Sequence, residues 1–173
     1  MIIFFVNVRF FLKNISEKYQ ISITIELGLQ SCNYHTLDKI ERGHGLAEYI
    51  DACMRIKKYG FYLCTHVILN LPSDDLRDII ETSKIVSVLK NDLVKIHSLY
   101  VAKGTKMGED YLAGKFSCLS LEEYGDWLKN CIGLLPENTV VHRITGDGAK
   151  KDLIAPLWSA DKKRVLNYLN KTL

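Results

Sequence analysis

Apolar residues fall into short β-branched runs separated by amphipathic stretches, and the two kinds of segment alternate along the chain. Ile21-Ser-Ile-Thr-Ile-Glu-Leu27, bounded by Gly28, predicts a strand. From Leu46 to Tyr59, the residues Leu46, Tyr49, Ile50, Cys53, Met54 and Ile56 recur at helical spacing, and Gly60 follows as a stop signal. Phe61 to Leu69 predicts the next strand, closed by Asn70-Leu-Pro-Ser73. Asp74 or Asp75 is placed to cap a helix from Leu76 to Leu89, with Ile79, Ile80, Ser83 and Val86 facing inward. Leu93 to Tyr100 predicts a third strand, followed by a turn-rich segment around Gly104-Thr-Lys-Met-Gly108. Ser120 then caps a helix to Leu134, with Glu122 and Glu123 in its favourable first turn. Val140 to Ile144 predicts a fourth strand and Ala160 to Leu169 a final helix. At the start, Ile2 to Val8 predicts a strand and the residues to Tyr19 a helix.

Strands alternating with helices indicate βαβ units and parallel pairing. The fold class expected is therefore α/β with parallel strands, but only four or five of them. A closed eight-unit barrel needs about 200 residues or more, and this chain has 173. The sheet is expected to be open, or to be part of a larger barrel. With no repeat or linker, residues 21–173 read as one partial barrel domain, extended by a tail from about residue 120. Residues 1–20 read as a divergent N-terminal segment.

Hydrophobic residues make up 47% of the chain, enough for a core, and the net charge is only +3. The charge carries no strong nucleic-acid signal, because such surfaces cluster their basic residues. No apolar run approaches a membrane span and no signal peptide is evident, so a soluble cytoplasmic protein is expected. The cysteines at 32, 53, 64, 118 and 131 form no C-x-x-C pair, which argues against a disulfide framework or a zinc knuckle.

In parallel α/β folds ligands bind at the carboxyl ends of strands, so polar residues there are the candidates. Alternation puts Glu26, Gly28 and Gln30 on one face of the first strand. A glutamate in an apolar strand is costly to bury alone, and Gly28 leaves room for a ligand to approach the backbone. The alternative for Glu26 is a solvent-facing position on an edge strand. Cys64 and His66 share a face of the second strand, and His97 lies on the third. Arg42-Gly43-His44 follows a short helical stretch from Thr36 to Glu41, where a guanidinium suits an anionic group or simply caps the helix.

The order of these pieces resembles the second half of a radical S-adenosylmethionine enzyme. The segments that carry it are Glu26-Leu-Gly-Leu-Gln-Ser31, Arg42-Gly-His44, His66-Val-Ile-Leu-Asn-Leu-Pro72 and Lys103-Gly-Thr105. His142-Arg-Ile-Thr-Gly-Asp-Gly148, followed by Leu153-Ile-Ala-Pro-Leu-Trp-Ser159, resembles the carboxyl-terminal signature of the bacterial YhcC/YtqA type. The resemblance covers residues 15 to 173. It implies a partial (β/α) barrel, and a whole enzyme that cleaves S-adenosylmethionine reductively to a 5′-deoxyadenosyl radical, an iron–sulfur oxidoreductase type of chemistry on an unknown substrate. It further implies that Gln30 and Arg42 hold the cofactor and that His66 faces its adenosyl or ribose part, with Glu26 and Gly28 near the same edge. His142, Arg143, Asp147 and Trp158 of the tail are implied on the substrate side, against a structural alternative in which Asp147 pairs with Arg143 and Trp158 anchors the last helix.

Two departures qualify what the resemblance implies. The G-L-P-G-E turn of the family reads Asn70-Leu-Pro-Ser-Asp74 here, without its glycines. The C-x-x-x-C-x-x-C motif that holds the family's 4Fe–4S cluster is absent, so this chain by itself is expected to be inactive. The partner expected is a missing N-terminal half, or a second copy, joined through an exposed sheet edge. Two other classes stay open on the residues alone: a non-catalytic binding module that uses that edge, and a metal-dependent hydrolase built on Glu26, Cys64, His66 and His97. In the leading assignment no residue is a metal ligand.

Overall fold

The computed structural model describes residues 6–146, 148 and 150–173. Helix α1 (Val6–Tyr19) leads into strand β1 (Thr24–Gln30), then α2 (Tyr34–Lys39), α3 (Leu46–Lys58) and β2 (Tyr62–Leu69). Next come α4 (Leu76–Val88), β3 (Leu93–Ser98), the short β4 (Val101–Ala102), α5 (Lys106–Leu112) and α6 (Leu121–Ile132). The chain ends with β5 (Val140–Arg143), β6 (Leu153–Ala155) and α7 (Lys162–Thr172), with single 3₁₀ turns at Lys150–Asp152 and Leu157–Ala160.

Four strands form a parallel sheet in the order β1-β2-β3-β5, and β4 and β6 form a small antiparallel ribbon. Each parallel neighbour is reached through at least one helix, as parallel pairing requires. The open α/β sheet expected from the alternation is therefore the one observed. β1 and β5 are the two edges of the sheet among the described residues.

Alternation along the strands divides the sheet into two faces. Leu27, Leu29, Leu63, Val67, Leu69, Val94 and Ile96 face the helices, where they pack with Tyr49, Cys53 and Ile56 of α3, Ile79 and Val86 of α4, Tyr124 and Leu128 of α6, and Leu169 of α7. Burial of this kind contributes about 25 cal/mol per Å² of apolar surface and is what holds the helices on that face. A second cluster of Leu71, Leu99, Val101 and Ala155 lies under the β4–β6 ribbon. No helix among the described residues is long and apolar enough to cross a membrane.

Several sequence expectations are corrected. The strand expected over Ile2 to Val8 falls partly outside the described residues, and the rest of it, Val6 to Val8, is the first turn of α1. β1 runs three residues later than its apolar pattern suggests, because Gly28 lies inside the strand and not at its end. On α3 the buried stripe is Tyr49, Ala52, Cys53 and Ile56, while Ile50 and Met54 lie on the exposed flank. The segment around Gly104–Gly108 holds helix α5, capped by Thr105. Gly108 sits inside that helix because a Cβ there would collide with the carbonyl oxygen of Ala102. Ser120 caps α6 as expected, in a box with Glu123, and of the two candidates for α4 it is Asp75 that caps, in a box with Asp78.

Candidate functional site

The face of the sheet turned away from the helices carries the polar residues. Register places Glu26 beside Cys64 and Gly28 beside His66 on β1 and β2, then His66 beside Lys95 and Ile68 beside His97 on β2 and β3. Residues paired across parallel strands share a face, so Glu26, Gly28, Cys64, His66, Lys95 and His97 form one patch. Its centre is a hydrogen-bonded ladder crossing three strands. Lys95 Nζ contacts both oxygens of Glu26 at 2.7 and 2.6 Å, and His66 Nε2 reaches Glu26 Oε2 at 2.6 Å. His97 Nε2 lies 3.3 Å from His66 Nδ1, the two rings nearly parallel at 19°. Hydrogen bonds from Lys95 and then His66 hold the Glu26 carboxyl below its usual range, outweighing its modest desolvation. An ionised Glu26 accepts from His66 Nε2–H, which leaves Nδ1 to accept from His97 Nε2–H. Cys64 is 1% exposed beside this ladder, and its thiol is pushed up to about 11, chiefly by burial and then by the Glu26 charge.

At the carboxyl end of β1 the pairing slips between Gly28 and Gln30, and Gln30 takes a positive φ of 70°. Here the loop after α2 folds back on the strand. Arg42 Nη2 donates to the Gly28 carbonyl at 2.9 Å, and His44 Nε2 donates to the same oxygen at 3.1 Å. A Cβ on residue 28 would run into the side chains of both Gln30 and Arg42. Three buried polar atoms at this corner have no partner: Gln30 Oε1, Arg42 Nε and His44 Nδ1. Leaving such groups unmatched costs about 1–3 kcal/mol each, so the corner favours a polar partner, a ligand or a water, against it.

The loop after β2 completes the rim. Asn70 and Ser73 adopt positive φ, at 68° and 88°, so the turn survives the loss of two glycines. Asparagine tolerates this conformation readily, serine less so. Asn70 Oδ1 also accepts from the Leu119 amide at 2.9 Å. Asp74 does not cap α4, a task that falls to Asp75. Instead its Oδ1 accepts from Thr36 Oγ1 at 2.5 Å and from Ser31 Oγ at 3.1 Å, tying the loop after β2 to the loop after β1.

The tail residues are spread out. His142 and Arg143 are consecutive on β5 at the point where the pairing with β3 slips, His142 exposed and Arg143 half-buried beside Lys95 in register. Asp147 lies outside the described residues. Trp158 donates Nε1–H to the Leu119 carbonyl at 2.9 Å and packs against Tyr124. The sequence offered Asp74 as a helix cap and as the acidic end of the Asn70–Asp74 turn, and gave no role to Lys95. Lys95 carried a usable signal, a charge alternating with Val94 and Ile96 and two residues from His97.

Comparison with known proteins decides the family. The Radical_SAM C-terminal domain model matches residues 91–173. YtqA of Bacillus subtilis is 38% identical over 149 residues, which cover 86% of this chain and 46% of YtqA. YhcC of Escherichia coli is 31% identical over 140 residues, covering 81% of this chain and 45% of YhcC. The chain belongs to the radical S-adenosylmethionine family. It corresponds to the carboxyl-terminal half of the radical S-adenosylmethionine fold, and it spans about half the length of the curated relatives it matches. The archaeal Elp3 of Methanocaldococcus infernus, with an N-terminal deletion, has the same fold over 91% of this chain and 38% of its own, at a TM-score of 0.73 and 22% identity.

The two cofactors implied by the family fare differently against these residues. The corner of Gly28, Gln30, Arg42 and His44 fits a polar ligand, on the strength of its unmatched buried atoms. The cluster does not fit. Cys32, Cys53, Cys64, Cys118 and Cys131 sit in different segments, and among the described residues no three cysteines converge.

Proposed function

We propose that this chain supplies the cofactor-side wall of a radical S-adenosylmethionine active site whose cluster thiolates come from another polypeptide segment. The observation that carries this is the corner at the end of β1, where Gln30 and Arg42 close over Gly28 and keep buried polar atoms unmatched. In this reading Arg42 binds the cofactor's carboxylate, for which a guanidinium is the best-matched partner. Gln30 offers an amide to its hydroxyl groups, Gly28 leaves the space, and Glu26 and His66 border the same wall. Bound beside a reduced 4Fe–4S cluster, S-adenosylmethionine supplies hydrogen-abstracting radical chemistry, an oxidoreductase activity on a substrate held over the inner face. His142, Arg143, Asp147 and Trp158 belong to the substrate side in this reading, and the protein acts in the cytoplasm.

The edge of β1, unpaired among the described residues, is the place for the cluster-bearing segment to pair, since an unpaired strand edge is a template for another strand. Residues 21–173 then act as one partial barrel domain, against which helix α1 packs through Leu12 and Phe10. The test is equilibrium binding of S-adenosylmethionine to the chain reconstituted with a segment carrying C-x-x-x-C-x-x-C. Saturable binding that weakens at least tenfold in Arg42→Gln, a loss of about 1.4 kcal/mol, is the expected result. Binding indifferent to both Arg42→Gln and Gln30→Ala would overturn the assignment.

A further inference from the structure

The inner face holds a second constellation, which shares Glu26 and His66 with the cofactor-side wall and adds Cys64. Glu26, Cys64 and His66 offer one ligand atom each, and these atoms lie within 4.8 Å of one another. They come from two adjacent strands whose register sets Glu26 directly beside Cys64, with His66 two residues further along the same face. A rigid sheet is a good platform for such a set, because strand pairing and not loop conformation fixes the spacing.

From this geometry we infer that Glu26, Cys64 and His66 form a mononuclear site for a borderline-soft divalent ion of the zinc class. The donor types choose the metal. A carboxylate, an imidazole and a thiolate suit zinc or cobalt, whereas magnesium and calcium take all-oxygen shells. Zinc ligands sit about 2.0–2.3 Å from the ion, so atoms already within 4.8 Å of one another close on a common centre by small side-chain movements. Three protein ligands leave an open position, the form of a site that binds a further ligand and not a purely structural one.

The outer contacts agree with this assignment. His66 presents Nε2 toward Glu26; a metal on Nε2 shifts the ring proton to Nδ1, which then donates to His97 Nε2 across the 3.3 Å contact, the second hydrogen bond that orients a ligating imidazole. Lys95 is the built-in competitor. Its ammonium sits on both Glu26 oxygens at 2.7 and 2.6 Å, so in the metal-free chain it supplies the positive charge that an ion would otherwise bring. Metal entry therefore displaces Lys95 from Glu26 and releases the thiol proton of Cys64 to solvent.

Cobalt(II) added to the chelator-treated chain under reducing conditions tests this directly. The expected result is one ion per chain, with a thiolate-to-cobalt charge-transfer band and the intense visible bands of four-coordinate cobalt. Cys64→Ser is expected to lose the charge-transfer band, and His66→Gln to weaken binding about 10-fold or more while the far-ultraviolet circular dichroism stays unchanged. Lys95→Met is expected to bind several-fold more tightly, an effect that a chance thiol site elsewhere would not show. A charge-transfer band that persists in Cys64→Ser, or an affinity unmoved by both His66→Gln and Lys95→Met, overturns the inference, as does the absence of any band with cobalt in large excess. None of these readouts involves S-adenosylmethionine, so the outcome is independent of the cofactor-side reading.

Discussion

Arg42 donates to the carbonyl oxygen of Gly28 at 2.9 Å, and this contact joins the loop after α2 to the strand that ends beside it. Desolvation at this position lowers the affinity of the guanidinium for its proton, and an anionic ligand would restore it. The contact depends on residue 28 having no side chain, because a Cβ would meet Arg42 and Gln30.

Gly28→Ala is therefore expected to separate folding from binding. The atoms in the way are the ends of two flexible side chains, which can swing aside, so the thermal midpoint should fall by no more than the equivalent of about 1 kcal/mol. Cofactor binding should be lost, because Gln30 and Arg42 would have moved. Thermal denaturation beside binding calorimetry checks both halves.

Asp74 gives the stability profile a distinctive sign. Burial pushes its carboxyl up to about 6, against the opposing hydrogen bonds from Thr36 and Ser31 and helped by the nearby charges of Asp78 and Asp75. With the folded value above the unfolded one, the native state holds the extra proton, so this group's contribution falls as pH rises from about 4 to about 6. Asp74→Asn keeps an acceptor for Thr36 and Ser31 and removes the charge. The variant should be more stable than the parent at pH 7 to 8, by about 1–2 kcal/mol after allowing for solvent screening, and the difference should vanish near pH 4. Urea denaturation across that pH range measures it.

Glu26 has the opposite sign. Lys95 first, and His66 second, hold its carboxyl below the usual range, so their support is present above the unfolded value and is lost as pH falls through the folded one. Lys95→Met should raise the titration midpoint of Glu26, read by carbon-13 resonance of its carboxyl. An unchanged midpoint would mean that the ladder across β1, β2 and β3 does not persist in solution.

Trp158 separates packing from chemistry in the tail. Its ring lies against Tyr124, with centroids 5.3 Å apart, and its N–H is spent on Leu119. Trp158→Ala should cost about 2–4 kcal/mol, since it removes a large ring and leaves a carbonyl unmatched. Trp158→Phe should recover most of that. If Trp158→Phe instead leaves stability intact and abolishes turnover in the reconstituted enzyme, the side chain serves the substrate.

Local pattern was enough to find most of the elements, because the information lay within a few residues: the Ser120 capping box, the Gly60 stop, the β-branched runs of β2 and β3. It failed where one residue answers to a distant partner. Gly108 reads as a turn until the Ala102 carbonyl is seen pressed against it. Asp74 and Asp75 are indistinguishable until Ser31 and Thr36 claim the first and the α4 amides the second.

The sequence by itself determined the alternation of strand and helix, the parallel sheet that follows from it, the family, and the candidates Glu26, Gly28, Gln30, Arg42 and His66. These depend on period, punctuation and motif order, all of which are written along the chain. Only the tertiary structure decided that Lys95 joins Glu26 and His66, that Arg42 and His44 share the Gly28 carbonyl, and that Arg143 pairs beside Lys95. Those contacts depend on which register two strands adopt and how a loop returns over a strand end, and both are set by the packing of the whole sheet against its helices.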